Sequence, residues 1–269
     1  MPPTDHATTD VKAHERQWQE RQGGGLQERA YQRSGTRVVI HCQFERIRRA
    51  LRLTPGLRVL DIGCGVGHLL AWLARQTPGR YFGLDVSLNS VSQARTADPG
   101  LHVIAGDAEQ LPYGDRQFDR VSCNGSAHHL LHLQAAIHEM FRVLVPGGVL
   151  VMYEPAATPL TNVVRRVFVH NETYESPADL SHKNEFTRRA VAAALLEAGF
   201  GGVAISAHDF LAYPLTGMYV DLPLGRSQAA MVRLSRLESR LEQWAPIRAL
   251  ARLVAWRWLI VATKPMVHA

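Results

Sequence analysis

Apolar positions divide the chain into an N-terminal helical part and a longer part in which short apolar runs alternate with helical stretches. Residues 26–53 carry apolar side chains every three or four positions, which predicts a helix that ends at Thr54-Pro55-Gly56. The positions that define this spacing are Val39, Ile40, Phe44, Ile47 and Leu51. Residues 1–25 are polar and end in a run of glycines, which predicts a flexible N-terminal tail.

From residue 58 onward, short apolar runs alternate with amphipathic stretches. The predicted strands are 58–62, 81–85, 103–105, 118–123 and 149–153, and the predicted helices are 68–75, 87–96 and 135–144. Short buried strands separated by helices are typical of parallel pairing with right-handed crossovers. With two later strands, the sequence predicts an α/β fold: a Rossmann-like, mostly parallel sheet of seven strands with helices on both faces.

The C-terminal half of the chain is less regular. Its predicted elements are helices over 187–198 and 227–244, a helix that begins at Pro246, and strands over 203–206 and 258–263. Two stretches look like additions to the minimal alternation: 155–186, which has no clear period, and 209–255, which contains the amphipathic helices. We therefore expect residues 26–269 to form one domain with an N-terminal helical cap and two inserts that cover its site.

The residues after each strand are the first candidates for a site, because ligands of open α/β sheets bind beyond the carboxyl ends of the strands. The first strand contains Asp61 and leads into Gly63-Cys64-Gly65. Closely spaced glycines let backbone N–H groups approach a ligand at a helix N-terminus, although they also suit a plain tight turn. His68 stands where the dinucleotide fingerprint requires glycine, which argues against a pyrophosphate ligand, whereas Asp61 suits a ligand with an ammonium group.

The second and third strands also lead into carboxylates. Asp85 can accept hydrogen bonds from ribose hydroxyls, or it can cap the next helix, a role that Ser87 could fill instead. Asp107 can accept from an adenine amino group, with the backbone N–H of Ala108 beside it. The three acids together predict a cradle for a nucleoside that carries a positive charge.

Four segments, in this order and spacing, resemble the class I S-adenosylmethionine-dependent methyltransferases, and most closely the branch of quinone-biosynthesis and small-molecule methyltransferases. They are VLDIGCGVGHLL (59–70), GLDVS (83–87), AGDAEQLPYGDRQFDRVSC (105–123) and FRVLVPGGVLVMYEP (141–155). The resemblance implies that S-adenosylmethionine is the cofactor and that the chain is a methyltransferase.

The resemblance also implies which residues bind the cofactor. Its methionine part would lie against Asp61, Gly63, Cys64 and Gly65. Its ribose and adenine would lie against Asp85, Val86, Asp107 and Ala108. Asn124 would meet the sulfonium group, and Tyr31 would close over the cofactor from the N-terminal helix.

His128 and His129 are the candidate catalytic bases, because they follow the fourth strand, where the resemblance places the reactive methyl group. Histidine titrates near neutral pH, which suits proton removal, but one ring could pack structurally while the other shapes the pocket. Glu154 could remove a proton or stabilise a carbocation on a carbon acceptor, and is otherwise expected to be a solvated acid at a strand end. No metal is expected, because Asn124 stands where metal-dependent relatives place an acid and Cys123 is the only other ligand nearby.

The sequence favours a small organic acceptor that is methylated on oxygen or, as the next option, on carbon. The segment after the fourth strand lacks the Asn-Pro-Pro-aromatic motif of base-modifying enzymes, and no nucleic-acid module is appended, so a nucleic-acid substrate is unlikely. The insert at 209–255 brings Phe210, Tyr213, Met218 and Tyr219, which predict an enclosed, largely apolar pocket. Its helices could instead pad the core or form a homodimer interface.

The net charge of +6 fits either an acidic partner, such as nucleic acid or anionic lipid, or a soluble protein rich in arginine. Because the arginines are scattered among acids, the second interpretation is favoured. The 209–255 insert could also contact a membrane surface, because arginines accompany its apolar residues: Arg233, Arg236, Arg240, Arg248 and Arg252. Two acids in the same stretch, Glu238 and Glu242, argue against this interpretation.

The sequence also predicts a cellular location and leaves two further function classes open. The N-terminus does not resemble a secretion signal, no apolar run approaches the roughly 18 residues of a membrane span, and three scattered cysteines do not make a disulfide framework, so we expect a cytoplasmic protein. A tRNA or protein methyltransferase stays an alternative because of the basic charge. A non-catalytic S-adenosylmethionine-binding protein is the other, because intact cofactor motifs indicate binding and not chemistry.

Overall fold

A seven-stranded sheet organises the computed structural model, which describes residues 5–22, 32–168, 186–216 and 223–266. The strands are β1 (Arg58–Ile62), β2 (Arg80–Asp85), β3 (His102–Ala105), β4 (Phe118–Asn124), β5 (Leu144–Pro155), β6 (Gly201–His208) and β7 (Arg257–Thr263). Their order is β3-β2-β1-β4-β5-β7-β6, and β7 runs antiparallel to both of its neighbours while the other pairings are parallel. The predicted α/β fold is confirmed.

Helices cover both faces of this sheet. They are α1 (Asp5–Gln22), α2 (Ser34–Leu51), α3 (His68–Gln76), α4 (Leu88–Ala97), α5 (Leu133–Val143), α6 (Pro159–Phe168), α7 (Arg188–Glu197), α8 (Pro223–Arg226), α9 (Gln228–Leu241) and α10 (Ala245–Val254). Within the described ranges, no helix combines the length and the apolar character that a bilayer span requires.

The central strands of the sheet are buried on both faces, which explains why they read as continuous apolar runs. Val59 and Leu60 are neighbours on β1 and both are fully buried, yet they belong to separate clusters on opposite faces. One cluster includes residues of α5 and α7, and the other includes residues of α2, α3 and α4. Side chains alternate between faces along a strand, so a doubly covered strand needs apolar residues at successive positions.

The N-terminal segment differs from the prediction. Residues 5–22 form helix α1, whereas the sequence predicted a flexible tail over 1–25 and no helix there. The sequence gives no apolar periodicity here because α1 makes polar contacts with the rest of the molecule: Lys12 pairs with Asp107 and Glu109, and a carboxylate oxygen of Glu20 accepts a hydrogen bond from the backbone N–H of Asn89.

The stretch at 155–186, which shows no clear period, contains helix α6 in its first part. This helix begins at Pro159, a residue that suits the first helical position because its missing N–H would have no partner there. The helix predicted over 26–53 is α2 in the structure, beginning at Ser34, and Tyr31 lies outside the described residues.

Candidate functional site

Asp61 lies near the carboxyl end of β1 and is almost completely buried. The Ser122 hydroxyl, on the neighbouring strand β4, donates a 2.7 Å hydrogen bond to its Oδ1. Parallel pairing of β1 with β2 brings the end of β2, and with it Asp85, to the same edge of the sheet. Two carboxylates therefore meet at the tips of adjacent strands.

The glycine loop after β1 has a backbone that glycine favours. Gly63, Gly65 and Gly67 have φ values of +68°, +54° and +81°, in the left-handed region that other residues rarely adopt. A Cβ on Gly63 would also lie 2.3 Å from the side chain of Ser126, which approaches from the loop after β4. Backbone conformation therefore favours glycine at these positions, and close packing also favours it at Gly63. The N–H groups of Gly63 and Cys64 donate to the carbonyl of Leu84 and tie the loop to β2.

Asp85 holds this loop in place. Its Oδ2 accepts a 2.7 Å hydrogen bond from the backbone N–H of Gly65, and its Oδ1 accepts one of 2.9 Å from that of Ser87. The N-cap of α4 is Ser87, whose hydroxyl oxygen accepts from the N–H of Ser90. The alternative role of Asp85 as a helix cap is therefore filled by Ser87, which leaves Asp85 at the loop.

The carboxylate pair at these strand tips is electrostatically costly. Burial raises the pKa of Asp61 to about 7, with a further increase from the negative charge of Asp85 and a partial reduction by the Ser122 hydroxyl. Burial also raises the pKa of Asp85, against the lowering effect of its backbone hydrogen bonds. Buried acids with raised pKa values are stabilised in their charged form by a nearby cation. These two carboxylates fit a cofactor with an ammonium and a sulfonium group.

Asp107 and Ala108 follow β3 on the same edge, and α1 reaches over them. Asp107 Oδ1 accepts from the backbone N–H of Glu109, and its Oδ2 lies 2.6 Å from Lys12 Nζ. Lys12 Nζ is also 2.6 Å from Glu109 Oε2. The acid that was predicted to read the adenine edge is thus paired with a lysine that the sequence did not single out.

Glu154 and His128 form a dyad at the carboxyl ends of β4 and β5. Glu154 is fully buried, and its Oε2 lies 2.8 Å from His128 Nδ1. Its Oε1 accepts from the backbone N–H groups of Ser126 and Ala127 at 3.1 and 3.0 Å. Burial alone would raise the pKa of Glu154, but the His128 ring and these N–H groups together lower it below its usual value. The expectation of a solvated strand-end acid was therefore wrong.

His129 lies in a different environment from its neighbour. Its Nδ1 is 3.5 Å from Glu15 Oε1, and its ring is 6.1 Å from that of Trp18, both on α1. The rings of His128 and His129 are themselves 4.0 Å apart. Of the two predicted histidines, only His128 contacts a fully buried carboxylate.

Three other predicted positions lie at this edge. Asn124 ends β4 and pairs in register with Tyr153 on β5. Cys64 is buried within the glycine loop, and burial raises the pKa of its thiol well above the usual value, so it stays protonated at neutral pH. Val86 follows directly after β2.

Sequence reasoning missed the residues that link these parts. Ser126 donates to the carbonyl of Ile62 at 2.8 Å and so joins the loop after β4 to β1. Glu109 Oε1 accepts from the backbone N–H groups of Leu131 and His132 and thereby fixes the segment after the histidines. Serine and glutamate at loop positions are common, so only the tertiary contacts distinguish these two.

Comparisons with known proteins identify the family of this chain. A family model described as a methyltransferase domain matches residues 60–152. A demethylmenaquinone methyltransferase from Beutenbergia cavernae is 32% identical over 169 residues, which are 57% of this chain and 70% of the relative. Methyltransferase GfsG from Streptomyces halstedii is 40% identical over 110 residues, which are 39% of this chain and 40% of the relative.

A solved structure shares the fold. The geranyl diphosphate C-methyltransferase of Streptomyces coelicolor A3(2), in a complex with Mg2+, geranyl diphosphate and S-adenosyl-L-homocysteine, superposes with a TM-score of 0.61 over 85% of this chain and 80% of that chain, at 17% identity. The aligned part of this chain spans only 36–59% of the length of several curated relatives, including GfsG.

Proposed function

Because the chain belongs to the class I S-adenosylmethionine-dependent methyltransferases, we propose that it transfers the methyl group of S-adenosylmethionine to a small, largely apolar organic acceptor, with oxygen as the favoured acceptor atom. The observation that carries the proposal is the His128–Glu154 dyad beside the glycine loop. It supplies a positioned proton acceptor next to the place where the family holds its cofactor.

Residues of β1 to β3 would hold the cofactor. The carboxylate of Asp61 suits the ammonium group of its amino acid part, which would lie against Gly63, Cys64 and Gly65, and Asp85 suits its ribose hydroxyls. Asp107, with the backbone of Ala108, would meet the adenine, which requires Lys12 to share or leave that carboxylate. Asn124 would lie near the sulfur, on the side that faces the histidines.

When bound, S-adenosylmethionine supplies a methyl group activated by its attachment to a sulfonium sulfur. The protein itself positions the acceptor and removes its proton. If His128 Nδ1–H donates to Glu154, the neutral ring keeps Nε2 as its proton acceptor. His128 then takes the proton of the acceptor hydroxyl as the oxygen attacks, and Glu154 stabilises the imidazolium that forms.

Oxygen is favoured over carbon because of how Glu154 is engaged. Both of its oxygens already accept hydrogen bonds, and the side chain has no exposed surface. It therefore acts through His128 as a positioning residue and does not meet a carbocation on the acceptor. A hydroxyl needs only the neutral imidazole as its base.

The function is tested by binding and turnover together. Calorimetry with S-adenosylhomocysteine is expected to give saturable heat, and incubation with methyl-labelled S-adenosylmethionine and a panel of phenols and carbon acids is expected to label a phenol. Failure to bind the nucleoside would refute the cofactor site. Binding with no labelled small molecule, but with labelled tRNA or protein, would favour the alternative substrates, and binding with no labelled acceptor at all would favour a non-catalytic role.

The dyad is tested by two neighbouring substitutions. His128→Ala is expected to lower kcat by about 100-fold or more and to remove the rise of kcat with pH, because it removes the base. His129→Ala is expected to lower kcat by less than about tenfold, since its ring contacts α1. Both variants should bind S-adenosylhomocysteine like the unsubstituted protein. Equal losses, or a larger loss in His129→Ala, would contradict the assignment.

A further inference from the structure

The two acids of the segment 223–266 are directed into the molecule. Glu238 is 2% exposed and accepts hydrogen bonds from the backbone N–H groups of Phe210, Leu211 and Ala212. Glu242 Oε1 lies 2.9 Å from Arg46 Nη2 and 3.0 Å from His208 Nδ1. Neither carboxylate is therefore available to balance positive charge on the outer side of α9 and α10.

The arginines of the same helices are exposed. They are Arg233, Arg236 and Arg240 on α9 and Arg248 and Arg252 on α10. In sequence, Glu238 and Glu242 alternate with these arginines, but the fold turns the acids inward and leaves the arginines in solvent. The two helices thus carry five exposed guanidinium groups, and we call this part of the molecule the basic cap.

Large apolar side chains are exposed next to these arginines. Trp244 is 66% exposed, and Leu250 and Leu253 on α10 are 54% and 53% exposed. Helix α6 packs against α10 and exposes Leu160 and Val163. Exposed tryptophan and leucine beside arginine are the composition of helices that lie in a membrane interface, where the apolar side chains enter the lipid and the cations meet phosphate.

The α10 part of the basic cap adjoins the edge of the sheet that carries the candidate site. Helix α6 begins shortly after β5, and α10 ends shortly before β7. Pro155, at the end of β5, pairs in register with Arg257, at the start of β7. Both helices are thus anchored at the carboxyl ends of the parallel strands, where an acceptor would enter.

We propose that the basic cap docks on an anionic lipid membrane, with Trp244, Leu250 and Leu253 inserted among the lipids and the arginines against their phosphates. The inference goes beyond the proposed function and would give a largely apolar acceptor a short path from the membrane to the site. A second copy of the chain fits this surface less well, because a two-fold interface would set arginines against arginines. Nucleic acid would use the arginines but leave the exposed leucines without a role.

Sedimentation with lipid vesicles tests the docking surface. The full chain is expected to sediment with vesicles that contain phosphatidylglycerol and to stay in solution with vesicles of phosphatidylcholine alone, and salt should release it. Leu250→Gln/Leu253→Gln is expected to lower the partition coefficient by about tenfold or more, and Arg248→Gln/Arg252→Gln by a similar factor.

Matched controls distinguish binding through the basic cap from nonspecific electrostatic or hydrophobic adsorption. Leu196→Gln and Arg189→Gln change side chains that are exposed on α7 and should leave vesicle binding unchanged. All variants should retain affinity for S-adenosylhomocysteine, which keeps this test independent of the proposed reaction. No binding to phosphatidylglycerol vesicles at low salt would overturn the proposal, as would binding that the α7 substitutions weaken equally. Tight RNA binding that ignores Leu250→Gln/Leu253→Gln would replace the membrane with nucleic acid.

Discussion

Two carboxylates at the carboxyl edge of the sheet are both buried but differ in electrostatic state. Asp61, on β1, has a pKa raised to about 7, because burial and Asp85 outweigh one serine hydroxyl. Glu154, on β5, has a lowered pKa, because a histidine and two backbone N–H groups outweigh an even more complete burial. Burial sets the cost of a charge, and the number of donors decides whether the charge is kept.

The difference suits separate tasks in the two halves of the edge. The β1–β2 half has excess negative charge that an external cation would stabilise, which suits a ligand site. The β4–β5 half is already satisfied by its own donors, which suits a fixed element that orients His128.

Of the substitutions at this edge, Glu154→Gln is expected to have the largest effect on turnover and stability. The amide would set an NH2 group against donors of the backbone or leave the ring of His128 without its anchor, so we expect kcat to fall by about 100-fold or more. Loss of a buried ionic partner should also lower the free energy of unfolding by about 3–5 kcal/mol. Urea unfolding and steady-state kinetics measure the two effects. Glu154→Asp, which keeps the charge, should retain the pH profile of kcat, and a profile lost in both variants would argue against positioning by charge.

Asp85→Asn tests the β1–β2 half of the edge, and its expected effect on cofactor affinity is intermediate in size. The substitution keeps the shape but removes the charge that would accept from ribose hydroxyls, so the affinity for S-adenosylhomocysteine should fall by about 1–3 kcal/mol. Calorimetry measures this change directly. Asp115→Asn provides a control, since its side chain is 71% exposed and pairs with Arg142. An affinity unchanged by Asp85→Asn would refute the ribose assignment.

The smallest expected effect is the pH dependence that Asp61 gives to cofactor affinity. A cationic cofactor favours the ionised carboxylate, so its affinity should fall as pH drops below about 7, by at most about tenfold per pH unit for one proton. Titrations between about pH 5.5 and 8 measure this slope. Asp61→Asn should bind more weakly at neutral pH and show a flatter profile, and an equally steep profile in that variant would assign the proton to another group.

The same group has the opposite effect on the stability of the cofactor-free protein. Its folded-state pKa of about 7 lies above the ordinary value of 3.8, so the folded state binds the proton more tightly than the unfolded chain. Its contribution to the free energy of unfolding is therefore complete at low pH and is lost as the pH rises through about 7. Cofactor binding and folding thus respond to this one proton in opposite directions.

The strand tips were predictable because they depend on local pattern. Apolar runs separated by helices place Asp61, Asp85 and Asp107 at strand ends, and parallel strands bring such ends to one edge of the sheet. The positive φ values of Gly63 and Gly65 follow from the same turn. For these residues, the identity of the side chain and its position relative to a strand suffice.

Other features depend on distant contacts that have no period in the sequence. Helix α1 reads as a polar tail because its docking uses Lys12 and Glu20 and not an apolar stripe. His128 and His129 are equivalent in sequence, but only one reaches Glu154, which is 26 residues away along the chain.

The sequence by itself determined the sheet, the family and the edge that carries the candidate site, because periodicity and glycine conformation act over a few residues. Only the tertiary structure decided which histidine has a carboxylate partner and which charges of α9 and α10 face outward. Glu238 and Glu242 turn inward because backbone N–H groups and Arg46 compensate them there, while the arginines remain in solvent. The cost of burying a charge depends on donors brought from elsewhere in the chain, and no local pattern records them.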